Sequence, residues 1–176
     1  RRDQTSSRSL LCAWAALHDI GKAAPTFQRK HAPAMPQLES VGLHFPRSFG
    51  RARVYHGDIS AWFLTREFTA RRHLPGPHAS ELAIALGGHH GSWRPSPNRS
   101  SRREVGDDTW EAVRAEMTAA LLELYGATST WHLPGDDAAR HGLLAALAGL
   151  VSVADWIASM QEHFPAASEV DDPRHY

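Results

Sequence analysis

A chain of 176 residues is long enough for one domain with a substantial core and too short for two comfortable ones. Nineteen basic residues balance nineteen acidic ones, so no global field marks the chain as a nucleic-acid binder. A single cysteine, Cys12, excludes a disulfide framework, and no uncharged apolar run of about 18 residues is present to span a membrane. Arg1 to Ser9 is polar and has no signal-peptide character, so a reducing, cytoplasmic setting is expected.

The first helix is expected over Arg8–Asp19. Leu11, Trp14, Ala15 and His18 fall at i, i+3, i+4 and i+7, which puts His18 on a face with core residues. Cys12 lies inside this segment and reads as a small core residue. Gly21 is expected to stop the helix in the left-handed conformation. Lys22 to Tyr55 carries Pro25, Pro33, Pro36 and Pro46 with Gly42 and Gly50, and predicts a long loop with short helical pieces. Connections of that length in a compact domain are usually functional or partly disordered. Gly57–Phe68 reads as a second helix with Ile59, Trp62 and Phe63 inward, and Leu74–His78 as a Pro-Gly turn. Ser80–His90 reads as a third helix capped by Ser80, with Leu82, Leu86 and His89 aligned.

Trp93 to Gly106 is a second loop, rich in Arg, Ser and Pro. Asp107 and Asp108 open a fourth helix whose expected apolar stripe is Trp110, Val113, Met117, Leu121 and Leu124. Asp136 and Asp137 open the longest helix, which runs to about His163. Its stretch Gly142–Ile157 is apolar nearly all round and predicts a central, buried helix. No segment of convincing length alternates with period two. The expected fold is all-α, one domain over residues 1–176, without internal repeat.

Ionisable residues in apolar surroundings carry the chemistry. His18-Asp19 closes an apolar run and precedes Gly21-Lys22, one of only two lysines beside Lys30. A carboxylate turned inward there is costly unless it is paired or coordinates a metal. Asp155 is the lone ionisable residue of its apolar stretch, where Ala148, Gly149, Ser152 and Ala154 allow close helix approach. Gly87-Gly88-His89-His90-Gly91 can direct two imidazoles into one cavity, and His56 opens the second helix with Ser60 one turn on. Singly, each has an ordinary explanation: a satisfied core histidine, a helix cap, an aspartate paired with arginine. Jointly, His18, Asp19, His56, His89, His90 and Asp155 form a donor set suited to first-row divalent ions such as Fe, Mn, Co, Ni or Zn. Two ions about 3.5–4 Å apart would clamp both oxygens of an in-line phosphoryl displacement, and Lys22 would neutralise the charge that develops. His31, His44, His73, His78, His132, His163 and His175 lie in loops or at element ends. His141 shares the face of Asp155 but stands roughly 21 Å away along the helix.

The ordered pattern resembles the HD metal-dependent phosphohydrolase superfamily. More closely, it resembles the HD nuclease domain of the CRISPR-associated nuclease-helicase of type I systems. The match is carried by His18-Asp19-Ile20-Gly21-Lys22, by His56 with Gly57 and Ser60, by Gly88-His89-His90-Gly91, and by Ser152-Val153-Ala154-Asp155-Trp156. This resemblance implies an HD-superfamily helical bundle with long loops and two divalent ions drawn from Fe, Mn, Co, Ni or Mg. Asp19 would bridge the ions, His18 and Asp155 would bind the first, His56, His89 and His90 the second, and Lys22 would assist at the scissile phosphate. The implied activity is metal-dependent cleavage of single-stranded DNA in antiviral defence, on the strand displaced when an RNA-guided surveillance complex (Cascade) opens its target, beside a helicase domain or subunit. Two departures stand out. The family has a further histidine ligand on an earlier helix, whereas residues 1–17 contain no histidine. The expectation is that the natural N-terminal helix is lacking or that the first metal has one protein ligand fewer. No P-loop is present either, so the helicase part is expected to be absent and the chain to be an excised domain or a stand-alone subunit.

Trp93, Arg94, Arg99, Arg102 and Arg103 follow His89-His90 closely, with no acidic residue among them. Arginines plus an aromatic beside a metal site suit a single-strand groove, where phosphates are neutralised and bases stack. Arg47, Arg51 and Arg53 precede His56 and could line the same channel. Two rival readings are an HD phosphohydrolase acting on small nucleotides, which needs a closed pocket, and a degraded HD fold that binds DNA or a partner without catalysis.

Overall fold

Eight α-helices form among residues 4–49, 54–91, 93, 102–127, 131–160 and 162–164, the residues described by the computed structural model, and none of these residues is in a strand. They are α1 (Gln4–Ala16), α2 (Pro25–Gln28), α3 (Met35–Ser40), α4 (His56–Arg72), α5 (Gly76–Gly87), α6 (Arg102–Val105), α7 (Asp108–Leu124) and α8 (Asp137–Ala158). The all-α expectation holds, and the proline-rich connection after Lys22 contains the short helical pieces α2 and α3. Two starts are set by aspartate caps. Asp107 accepts from the backbone N–H groups of Thr109 and Trp110 at 3.1 and 3.3 Å, and Asp136 accepts from that of Ala139 at 2.8 Å.

Three boundaries differ from expectation, one being the end of α8 at Ala158 rather than near His163. The first helix ends at Ala16, so His18 and Asp19 occupy a turn that leads into a 3₁₀ turn at Ile20–Lys22. Gly21 is not left-handed; the described glycines with positive φ are Gly42, Gly91, Gly106 and Gly126. The third helix begins at Gly76 rather than at a Ser80 cap, because Pro77 in its first turn already has the φ a helix needs. Cys12 is exposed rather than part of the core.

Helices α4 and α5 pair along their length, α5 packs in turn on α8, and α1 contacts both α7 and α8. Their shared core includes Trp14, Leu17, Phe63, Phe68, Leu86, Leu122, Leu147 and Val151. Trp131 packs edge-on against Trp14 and Phe68, with ring centroids 5.7 and 5.0 Å away. The buried face of α7 is Trp110, Arg114, Thr118 and Leu122; of the expected stripe, Leu121 packs against the core and Val113 is half-buried, but Met117 and Leu124 face solvent. The expectation for α8 is also corrected. Leu144, Leu147, Ala148 and Val151 are buried, but Val153 is 52% exposed and Trp156 68% exposed, beside exposed Leu150 and Ile157. Its length and apolarity would suffice to cross a membrane; here it is a bundle helix with one face against α5 and α1 and an apolar face left open. Arg140 fastens its first turn, donating to Glu81 Oε2 of α5 at 2.6 Å, to Asp137 Oδ1 at 2.5 Å, and to the carbonyls of Pro134 and Gly135.

Candidate metal centre

Four backbone segments meet at one end of α5. His18 and Asp19 arrive on the turn after α1, His56 is the first residue of α4, His89 and His90 follow α5, and Asp155 lies in the last turn of α8. Close backbone approach makes this possible. A Cβ on Gly21 would stand 2.6 Å from the backbone N and 2.9 Å from Oγ of Ser60, and nearer still to the His56 carbonyl oxygen. With no side chain there, the Gly21 N–H donates to Ser60 Oγ at 2.9 Å and binds the turn to α4. Gly57 and Gly87 play the same part between α4 and α5: a Cβ on either would strike the other's carbonyl oxygen. The Ser152 hydroxyl lies 2.8 Å from two carbonyls, that of His89 and that of Ala148, so its proton links α8 to the turn that holds His89.

All six residues singled out for metal binding come together. The two oxygens of Asp19 face different imidazoles: Oδ2 is 3.2 Å from His18 Nε2, while Oδ1 is 3.1 Å from His56 Nε2 and 3.7 Å from His89 Nε2. Asp155 Oδ1 approaches His18 Nε2 at 3.5 Å, and the Lys22 ammonium pairs with Asp19 Oδ2. The His89 ring lies between those of His18 and His90, at centroid distances of 4.6 and 4.2 Å, and His90 stands 5.1 Å from His56. Ligand atoms of His56, His89 and His90 lie within 4.8 Å of one another, as do those of His18, His89 and Asp155. His89 therefore belongs to both groups, where the sequence reading had it in one.

At Asp19, His18 and His89 burial opposes a charge, and the neighbours decide each outcome. Desolvation would raise the Asp19 carboxyl, but the His18, His56 and Lys22 groups gathered around it outweigh burial and hold it far below the usual carboxylate range. At His18 the contact with Asp19 likewise overcomes burial and raises the imidazole pKa. Burial, reinforced by His18 and His90, pulls His89 down to about 4, so this ring is neutral near pH 7.

The donor set fits divalent cations on the evidence of its hydrogen bonds. The Nδ1 atoms of His18 and His89 face the carbonyls of Ala15 and Leu86 at 2.6 and 3.0 Å. A carbonyl only accepts, so Nδ1 carries the hydrogen and Nε2 of each neutral ring presents a lone pair to Asp19. His18 Nε2 and Asp19 Oδ1 are buried without a hydrogen-bond partner. A proton on His18 resolves one such encounter. His89 Nε2, held neutral, lies 3.3 Å from His56 Nε2 and 3.7 Å from Asp19 Oδ1, so three donor atoms converge where a cation would be attracted by all of them.

Of the residues expected to contact DNA, Trp93 and Arg103 are exposed, and Arg102 lies on α6. Arg94 and Arg99 fall outside the described residues, as do Arg51 and Arg53, while Arg47 is exposed. Two arginines went unnoticed in the sequence. Arg140 fastens α8 to α5. Arg114 is fully buried, and its Nη1 donates to the carbonyls of Ala23 at 2.7 Å and Val105 at 2.9 Å. The available signal for Arg114 was its i+4 spacing from Trp110 on a helix that also offers Thr118 and Leu122.

A helical bundle whose histidine–aspartate pair anchors a cluster of imidazoles and carboxylates is an HD domain. The family described as "Cas3, HD domain" matches residues 1–164, and the chain belongs to it. A CRISPR-associated endonuclease/helicase Cas3 from Thermus thermophilus is 33% identical over 172 residues, which is 92% of this chain and 18% of the relative. A solved CRISPR-associated protein is similar with a TM-score of 0.75 and 34% identity, covering 94% of this chain and 18% of that one. The Thermus thermophilus Cas3 HD domain, solved in the presence of Ni2+, is similar with a TM-score of 0.66 and 28% identity, over 98% of this chain and 61% of that one. The chain thus spans about a fifth of the length of the curated relatives it matches.

Proposed function

We propose that this chain is the nuclease domain of a CRISPR-associated nuclease-helicase, hydrolysing phosphodiesters of single-stranded DNA with two divalent cations. The observation that carries the reading is Asp19: one half-buried carboxylate presents each oxygen to a different imidazole group. In this reading His18 and Asp155 would hold one ion and His56, His89 and His90 the other, with Asp19 facing both groups and His89 within reach of either. Bound cations supply Lewis-acid chemistry, activating water and clamping phosphate oxygens. Lys22, 38% exposed and in contact with Asp19, is free at its outer side to meet the charge that develops on a phosphate. His90, Trp93 and Arg103 lie on the solvent side, which suits an extended strand. The helicase partner follows from the relatives, which carry both activities in their names; the surveillance complex would supply the displaced strand.

The test is cleavage of circular single-stranded DNA with added Ni2+ or Mn2+. Wild type should cut the circle, and Asp19→Ala should not while keeping its helical content by circular dichroism. Hydrolysis of nucleotide monomers with the circle intact would instead assign the domain to small nucleotides. DNA binding without hydrolysis at any metal would make it a non-catalytic module.

A further inference from the structure

The turn that carries Asp19 and Lys22 is held at three points. It leaves α1 at one end, its Gly21 N–H is fixed by Ser60, and its far end meets α7 through Arg114. Arg114 is 0% exposed. Its Nε and Nη2 are buried without hydrogen-bond partners, and its aromatic neighbour is Phe63, 5.5 Å from the guanidinium. A buried charge that lacks a bound acid is a poor stabilising device, since well-packed apolar residues of similar volume usually do as well or better. What the guanidinium does achieve is specific. A single nitrogen joins the carbonyl of Ala23, the residue after Lys22, to that of Val105, the last residue of α6. Ala24, Ile59 and Val105 pack together there, and Glu111 and Asp107 act on the guanidinium only as nearby charges, with no ion pair formed among the described residues. The turn also contacts α4 and α7 directly, so a shift at Ala23 has a short path to Asp19.

We propose that Arg114 is a positioning residue for the metal centre, fixing the Asp19–Lys22 turn by holding the carbonyls of Ala23 and Val105 together. The proposal rests on the reading of the cluster as a metal site, and its test does not require that DNA be the substrate. The probe is Co2+, followed by its visible absorption spectrum and by calorimetric titration, with thermal unfolding of each variant in EDTA. Arg114→Met should unfold cooperatively near or above the wild-type midpoint, yet bind Co2+ at least tenfold more weakly with a shifted spectrum. Arg114→Lys, which keeps a donor for both carbonyls, should recover affinity to within threefold of wild type. Thr118→Val, one turn along the same buried face and with a hydroxyl that makes no hydrogen bond to the turn, should leave affinity and spectrum unchanged. Wild-type binding by Arg114→Met overturns the proposal, and so does a folded Arg114→Lys without recovery, because side-chain volume rather than the hydrogen bonds would then govern the centre. If the Met variant does not fold, Arg114→Gln decides in its place: its amide reaches at most one carbonyl, so a threefold or greater loss supports the proposal and unchanged affinity overturns it. A wild-type protein that binds no Co2+ would refute the metal reading itself.

Discussion

Replacing Gly21 by alanine adds one methyl group at the point where the Asp19 turn crosses the start of α4. That Cβ would stand 2.6 Å from the Ser60 nitrogen, 0.8 Å short of the 3.4 Å at which ordinary contact begins, and closer still to the His56 carbonyl. The turn and α4 must therefore part by at least 0.8 Å. Metal–ligand distances tolerate about 0.2 Å. Because Asp19 sits on one side of this contact and His56 on the other, the separation pulls apart two residues that share the centre. Overpacking of this kind costs about 1–3 kcal/mol, or roughly 2–12 °C of unfolding midpoint in a domain of this size. The loss in metal affinity should be larger than the usual ~10- to 100-fold effect of disturbing a ligand's support. Calorimetric titration with Ni2+ and thermal unfolding in EDTA measure the two effects separately. Gly149→Ala is the control: it lies within α8 with open space around its Cβ position, so the same methyl group should stabilise by about 0.5–1 kcal/mol. Wild-type Ni2+ affinity and an unchanged midpoint for Gly21→Ala would refute the account of how the centre is assembled.

Ser60→Ala leaves the buried Gly21 N–H without an acceptor and should cost about 1–3 kcal/mol by denaturant unfolding. Val153→Ser should change stability by less than about 0.5 kcal/mol, because its side chain faces solvent; a loss near 2 kcal/mol would restore the expectation that α8 is buried all round. The Arg140–Glu81 pair gives a pH dependence. Arg140 lowers the Glu81 carboxyl from 4.5, so the pair contributes above that pH and its contribution is lost as pH falls through the lowered folded value. The difference in stability between wild type and Arg140→Met should therefore be constant from pH 7 to about 5 and shrink below 4.5, as followed by urea unfolding at each pH.

What the sequence made legible was local. The caps at Asp107 and Asp136 and the apolar periodicity of α4 and α5 report choices made within a few residues. Faces were harder. On α7 the apolar stripe through Met117 and Leu124 competes with a stripe through Trp110, Arg114, Thr118 and Leu122, and hydrophobicity alone selects the first. The second wins because the turn after α1 presents a carbonyl that needs a buried donor, and only the partner segment reveals that need. On α8 the apolar residues outnumber the neighbours available to cover them, and composition carries no information about coverage.

The centre also shows why motif and periodicity give different kinds of answer. None of its six residues lies in the middle of a helix: His56 and Asp155 occupy a first and a last turn, and the others sit in turns just beyond helix ends. Helix-face arguments therefore could not bring His18, His56 and His89 together, and the assignment of His18 to a core face failed when α1 ended at Ala16. What converges these residues is backbone lying directly on backbone, at Gly21 against His56 and at Gly57 against Gly87, supported by the hydroxyls of Ser60 and Ser152. Glycines in the family pattern are therefore as much part of the centre as its imidazoles. A lost ligand removes one donor from an otherwise intact frame, whereas a methyl group at Gly21 or Gly57 moves whole segments that carry several donors at once.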